Sequence, residues 1–155
     1  MKRAIFPGSF DPFTIGHYDI VMRGLQLFDE IVIGIGQNGE KSDHQSLQTR
    51  MDAIRHTFAD EPRVQVRAYS TLTVDFAQEV EAQFILRGVR DTRDFEYERS
   101  IAEANRQMTG IETILLYTRP EYAHISSTLV RDLMHYGKDV TPLLAPDKHE
   151  TKQDI

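Results

Sequence analysis

The sequence predicts an α/β protein built as a single domain on a doubly wound, five-stranded parallel sheet. Five short runs rich in β-branched and aromatic residues recur along the chain, and the intervals between them carry apolar residues at helical rather than alternating spacing. The length of 155 residues suits one compact domain with a sizeable core. Strands that alternate with helices pair in parallel, because each crossover returns the chain to the same end of the sheet.

Strands are expected at Arg3 to Phe6, Ile31 to Ile35, Val64 to Tyr69, Gln83 to Arg87 and Thr113 to Thr118. Ile20, Val21, Leu25 and Phe28 mark a first helix from Ile15 to Phe28; Leu47, Met51, Ile54 and Phe58 mark a second. Val74, Ala77 and Val80 mark a shorter third. A longer helix spans Thr92 to about Met108, and a last one from Thr128 to Tyr136 stops at Gly137, a residue suited to a C-terminal cap. The whole of 1–155 reads as one domain, with 141–155 as a tail whose polar stretch is a solvated helix or a frayed end.

Composition narrows the function classes. Hydrophobic residues make up 40% and charged residues 27% of the chain, the balance of a soluble globular protein. A formal charge of -6 argues against duplex nucleic acid as a partner, since that binding depends on neutralising many phosphates. The chain has no cysteine, which removes disulfides, thiolate metal sites and cysteine nucleophiles. No stretch approaches the roughly 20 apolar residues needed to span a bilayer, and the apolar run after Met1 is too short for a signal peptide. A cytoplasmic protein without a membrane partner is expected.

In a doubly wound sheet, ligands bind at the carboxyl ends of the strands, where the strand order reverses. The five segments that follow the strands all carry unusual polar chemistry: Ser9 to His17, Asn38 with Lys41, Leu72 with Thr73, Arg87 with Arg90, and the run around His124 to Thr128. The first, Pro7-Gly8-Ser9-Phe10-Asp11-Pro12-Phe13-Thr14-Ile15-Gly16-His17, is the most specific. Thr14 is placed to cap the helix, which puts His17 in its first turn, where unpaired backbone N–H groups favour anions. Helical side chains lean towards the N-terminus, so His17 reaches over the Ser9 loop. A histidine satisfied at a helix start would explain His17 alone, but not its company of glycines and hydroxyls.

His124 to Arg131 repeats the pattern, with Ser126, Ser127 and Thr128 at a second helix N-terminus. By itself this reads as a helix cap. Paired with the first motif, it suggests two helix N-termini gripping a polyphosphate. Arg87 to Arg99 is dense in charge; Arg93 and Glu96 read as solvated surface, whereas Phe95, Glu98, Ala102 and Asn105 share one helix face, which makes Glu98 buried or ligand-facing. Arg87 and Arg90 suit phosphate or carboxylate recognition. Gly34 to Gly39 matches a G-x-G-x-x-G pattern, but no helix opens at its third glycine, so turn chemistry and room for a ligand are the expected explanation. His44, His56, His135 and His149 are expected to face solvent, and no side-chain cluster at metal-ligand spacing is present.

These motifs resemble a known family. Gly8 to His17 is similar to the T-x-G-H form of the signature of the nucleotidyltransferase superfamily, Ile125 to Arg131 resembles its second phosphate-binding motif, and with Lys41 and Arg87 to Glu98 the chain resembles the bacterial phosphopantetheine adenylyltransferase family over residues 2 to 140. The resemblance implies a Rossmann-like nucleotidyltransferase fold and transfer of the adenylyl group of ATP to 4'-phosphopantetheine, giving dephospho-CoA and pyrophosphate. It implies Mg2+ carried by the ATP phosphates rather than by protein side chains, a homohexamer, and CoA as a feedback ligand. By resemblance the catalytic group is His17, Lys41, Ser9 and Arg90. ATP contacts fall on Ser9, Phe10, His17, Gly88, Val89, Arg90, Glu98, Tyr122, Ala123, His124, Ile125, Ser126, Ser127 and Thr128, and phosphopantetheine contacts on Ser9, Lys41, Thr73 and Arg87.

Ile15, Thr49, Thr73 and Tyr122 depart from the family pattern without removing a charged catalytic group. Two other readings compete: a cytidylyltransferase or nicotinamide mononucleotide adenylyltransferase of the same superfamily, and a regulatory nucleotide-binding module without turnover. Lys41 and the block from Arg87 to Glu98 separate the first from the favoured reading, and a reacting histidine separates the second.

Overall fold

Strand β1 (Arg3–Gly8) pairs with β2 (Glu30–Gly36) along its whole length but with a second neighbour, β4 (Phe84–Val89), at only Ala4 and Ile5, and a crevice opens where that second pairing ends. The computed structural model describes residues 1–37 and 44–148. In chain order the elements are β1, α1 (Ile15–Gly24), β2 (Glu30–Gly36), α2 (Leu47–Thr57), β3 (Val64–Tyr69), α3 (Thr73–Glu79), β4 (Phe84–Val89), α4 (Thr92–Thr109), β5 (Glu112–Tyr117) and α5 (Ser127–His135). All strands are parallel, in the spatial order β3-β2-β1-β4-β5. The order reverses between β1 and β4, the switch point at which this architecture binds ligands.

Alternation along the central strands builds the two faces. Ala4, Phe6, Ile31, Ile33, Ile35 and Leu86 pack with Ile20, Val21 and Leu25 of the α1 region and Ile54 of α2. Ile5, Val32 and Ile85 point the other way, against Val74, Phe76 and Ala77 of α3. A third cluster, Ile125, Val130 and Val140, lies beside Ile15, Tyr122, Leu143 and Leu144. It joins α5 and the segment from Val140 to Leu144 to the start of α1.

Several boundaries differ from the sequence expectation. Pro7 and Gly8 belong to β1 rather than to the loop after it, and β4 runs on past Arg87 to Val89. Pro7 has no N–H with which to continue a ladder, and its carbonyl instead accepts from Arg87 Nη1. Helix α1 ends at Gly24, short of Phe28; Gln26 and Leu27 then bond three residues back, to Arg23 and Gly24 carbonyls, the tighter winding common at helix ends. Gly34 and Gly36 lie inside β2, not in a turn. A Cβ on Gly34 would stand 2.5 Å from Phe76 Cε1 and 3.0 Å from Tyr69 Cε1, so ring packing explains that glycine. Gly39 lies outside the described residues. Gly137, at φ 72°, ends α5 as expected, with the Lys138 N–H returning to the Leu133 carbonyl. His44 and His135 are exposed, but His56 is half-buried. His149 and most of the predicted tail helix lie outside the described residues.

Candidate active site

Past Ile5 the loop from Gly8 to Thr14 is held by its carbonyls. Arg50 Nη1, from α2, donates to Ser9 O at 2.7 Å; Arg131 Nη1 donates to Asp11 O at 2.7 Å and Ser127 Oγ to Pro12 O at 2.8 Å, both from α5. Arg50 is 1% exposed, a buried cation whose desolvation has to be met by such bonds. The Asp11 carboxylate, also buried, accepts the N–H groups of His44 and Gln45 at 2.7 and 3.0 Å. Phe10 adopts a positive φ of 48°, and its ring fills the space that a Cβ on Gly8 would need, at 2.8 Å from Cζ.

Thr14 caps α1 reciprocally. Its Oγ1 accepts the His17 N–H at 3.3 Å while its own N–H donates to His17 Nδ1 at 2.9 Å, the arrangement of a capping box. A backbone N–H can only donate, so Nδ1 is the acceptor nitrogen and the imidazole proton is on Nε2. Phe6, Phe10 and Phe13 surround the ring, with centroids 6.3, 5.0 and 5.3 Å away. Burial, and then the positive charges of Arg87 and Arg90, push the His17 pKa down to about 3. His17 is therefore a neutral hydrogen-bond donor at physiological pH, not a cation and not an acid or base in reserve.

A cavity of about 430 Å³ stands over this ring. Its walls include Ser9, Phe10, His17, Arg87, Gly88, Arg90, Glu98 and Ile125 to Thr128, so most sequence-predicted residues meet there. Ser126 caps α5 by accepting the Leu129 N–H at 3.1 Å, and the second helix N-terminus thus faces the same space as the first. Val89 is a core residue, Tyr122 packs in the third cluster, His124 is exposed, and neither Tyr122, Ala123 nor His124 lines the cavity. Asn38 and Lys41 lie outside the described residues. Thr14, Gly16 and Ile20, read from the sequence as cap, motif glycine and core residue, also line the cavity, as do Asp94, Thr118 and Arg131, to which no ligand contact was assigned. Arg131 had a usable signal, since it stands one helical turn after Ser127.

On the opposite face of the sheet a second cavity, of about 190 Å³, is lined by Tyr69, Thr73, Ile85, Tyr97, Ile101 and Asn105 among others. The two cavities share Pro7, Gly8, Arg87 and Glu98, the residues at the gap between β1 and β4. Thr73 belongs to the second cavity, where its hydroxyl lies 3.0 Å from Tyr69 Oη. Arg87 Nε and Nη2 donate to the two Glu98 oxygens at 3.0 and 2.7 Å. Arg90 Nε donates to Asp94 at 3.2 Å. Both carboxylates bordering the first cavity are thus tied to arginines, and among the described residues no group of three or more His, Asp or Glu side chains is placed to hold a metal ion. Nor is any described helix long and apolar enough to cross a membrane.

Known proteins resemble this chain. The family model described as cytidylyltransferase-like matches residues 5–133. A phosphopantetheine adenylyltransferase from Phocaeicola vulgatus is 59% identical over 93% of this chain and 95% of its own length. One from Flavobacterium johnsoniae is 50% identical over 99% of this chain and 100% of its own. Among solved structures, a bifunctional NMN adenylyltransferase/ADP ribose pyrophosphatase from Francisella tularensis superimposes with a TM-score of 0.70 at 16% identity, covering 94% of this chain and 45% of that one; at that identity it supports the fold alone. With the motif residues gathered on one rim and relatives of this closeness along nearly the whole length, the chain belongs to the cytidylyltransferase-like family and, within it, to the phosphopantetheine adenylyltransferases.

Proposed function

We infer that the protein catalyses the reversible transfer of the adenylyl group of ATP to 4'-phosphopantetheine, releasing pyrophosphate and forming dephospho-CoA. The observation that carries the reading is the pair of cavities meeting at Arg87. One is ringed by hydroxyls, cations and two helix N-termini, as a triphosphate requires; the other is bordered by Tyr69, Ile85, Tyr97 and Ile101, as a partly apolar arm requires. A phosphate at their junction faces the α-phosphorus of a nucleotide in the first.

The acceptor phosphate is already a nucleophile at neutral pH, so no side chain has to be deprotonated. One of its oxygens bonds to the α-phosphorus as the bond to the bridging oxygen breaks, and pyrophosphate departs with that electron pair. His17 Nε2–H donates to a non-bridging α-phosphate oxygen as negative charge builds there, a preorganised donor that needs no reorientation during the step. Ser126, Ser127, Thr128 and Arg90 hold the β- and γ-phosphates; Ser9 lies beside the reacting groups and Arg87 takes the acceptor phosphate, with bond-making helped mainly by alignment. Lys41 is assigned to the reacting phosphate on the family resemblance.

The donor set suits a metal that arrives on the nucleotide, because Asp94 and Glu98 are occupied by arginines. Mg2+ held by the phosphates and water supplies charge neutralisation on the leaving pyrophosphate. A cytoplasmic homohexamer with CoA as a feedback ligand completes the reading. Tyr97, Ile101 and Met108, exposed along α4, offer apolar surface for a second copy.

Mixing the protein with ATP and 4'-phosphopantetheine tests the assignment. Pyrophosphate release with this pair, and not with CTP or with nicotinamide mononucleotide as acceptor, is expected. Release only with one of the alternatives would overturn it.

A further inference from the structure

Phe13 and Thr14, which lead into α1, are held by the far end of the chain. Thr14 forms an antiparallel bridge with Leu144, and the Ala145 N–H donates to the Phe13 carbonyl at 3.4 Å. This strap is anchored along its length. Leu143 and Leu144 pack with Ile15 and Tyr122, and Ala145 packs on the main core. Three residues on, Lys148 Nζ lies 3.4 Å from Asp60 Oδ1 and 5.9 Å from the centre of the Tyr18 ring.

What the strap holds is the residue that orients the histidine. Thr14 is 1% exposed, and its N–H is the donor that leaves Nδ1 as acceptor and Nε2 as the protonated nitrogen of His17. The other bonded carbonyls of the preceding loop are taken by α2 and α5. The Phe13 carbonyl, next to Thr14, is taken by the strap. The Thr14 N–H bonds the ring directly, so a displacement of Thr14 is passed to the imidazole, and misplacement by about 1 Å can cost roughly 100-fold in rate.

We propose that the segment from Val140 to Lys148 positions His17 for adenylyl transfer by clamping Phe13 and Thr14, with Ala145 and Lys148 as positioning residues. The proposal rests on the reading of His17 as the donor to the α-phosphate. Neither residue borders the cavity, so each acts through Thr14 rather than through substrate.

The test compares Ala145→Pro, which removes the donating N–H, with Ala145→Ser, which keeps it. Leu144 already has the extended ψ of 158° that a residue before proline adopts. Two readouts are taken: the 15N shifts of the His17 imidazole, which report its tautomer, and kcat with KM for ATP from pyrophosphate release. Ala145→Pro is expected to lose the pure Nε2–H signature and to lower kcat about 5- to 50-fold with KM for ATP nearly unchanged, while Ala145→Ser behaves as the parent. Lys148→Met, at the half-exposed anchor, moves both readouts the same way by a smaller factor and serves if Ala145→Pro does not fold. A parent-like His17 signature in the folded variants overturns the proposal, as does a fall in kcat without a change in that signature. If the parent itself releases no pyrophosphate, the functional reading fails, while the imidazole spectra of the variants still decide whether the strap sets the tautomer.

Discussion

Arg87 and Glu98 close a two-point ion pair in the wall between the two cavities, Nη2 to Oε1 at 2.7 Å and Nε to Oε2 at 3.0 Å. The carboxylate holds the guanidinium in one plane while Nη1 reaches the Pro7 carbonyl. One N–H on each terminal nitrogen is left for a ligand, so the arginine is pre-aimed rather than neutralised.

Arg87→Ala is accordingly expected to raise KM for 4'-phosphopantetheine roughly 10- to 100-fold, the scale of one charge-assisted hydrogen bond, and KM for ATP much less. Steady-state kinetics with each substrate varied in turn checks this. Equal effects on both substrates would remove Arg87 from the acceptor site.

His17→Ala is expected to lower kcat by about two to three orders of magnitude, as the loss of one preorganised transition-state donor does, with ATP affinity little changed. The measurements are single-turnover pyrophosphate release and equilibrium ATP binding. Near-normal turnover in the variant would refute the assigned role.

The depressed pKa of His17 makes a pH prediction with a definite sign. In the folded, ligand-free protein the ring stays neutral down to about pH 3, whereas unfolding restores the ordinary value near 6.5. Between those values the unfolded state binds the extra proton, so the group's contribution to stability is present above pH 6.5 and is lost as pH falls through that window. The melting temperature of the parent should therefore fall more steeply below pH 6.5 than that of His17→Gln. The His17 ring resonances should not titrate between pH 5 and 8; a midpoint near 6.5 would contradict the enclosed, donor-fixed ring.

Gly34→Ala is expected to destabilise the fold by about 1–3 kcal/mol, the usual cost of overpacking a core, because the new methyl group meets Phe76 at 2.5 Å. At Gly36 the nearest atom is Tyr69 Oη at 3.2 Å, and Gly36→Ala should cost less. Urea unfolding of both variants makes the comparison, and equal stabilities would show that the Phe76 ring moves aside freely.

Much of this molecule was legible before its coordinates. Among the described residues the periodicities placed the five strands and five α-helices to within a few residues, because core faces repeat at two residues in strands and 3.6 in helices whatever lies opposite them. The misreadings share a cause. Gly34 and Gly36 looked like turn residues because glycine serves both turns and close approaches, and only the Phe76 and Tyr69 rings distinguish the two. Arg87 was expected to end its strand, but β4 continues to Val89, and the charge is tolerated inside it because the pairing of β1 with β4 stops at Ile5 and Ile85. Arg50 and Asp11 attracted no notice, although both are buried and both tie the Ser9 loop in place.

Local chemistry therefore specified the sheet, the two helix N-termini and the family, since each depends on residues close together in the chain. The division of the crevice into two cavities, the direction of Arg87 and the bridge from Leu144 back to Thr14 depend on contacts between residues up to 130 positions apart. Such contacts are set by how the elements pack, and no spacing along the chain encodes them.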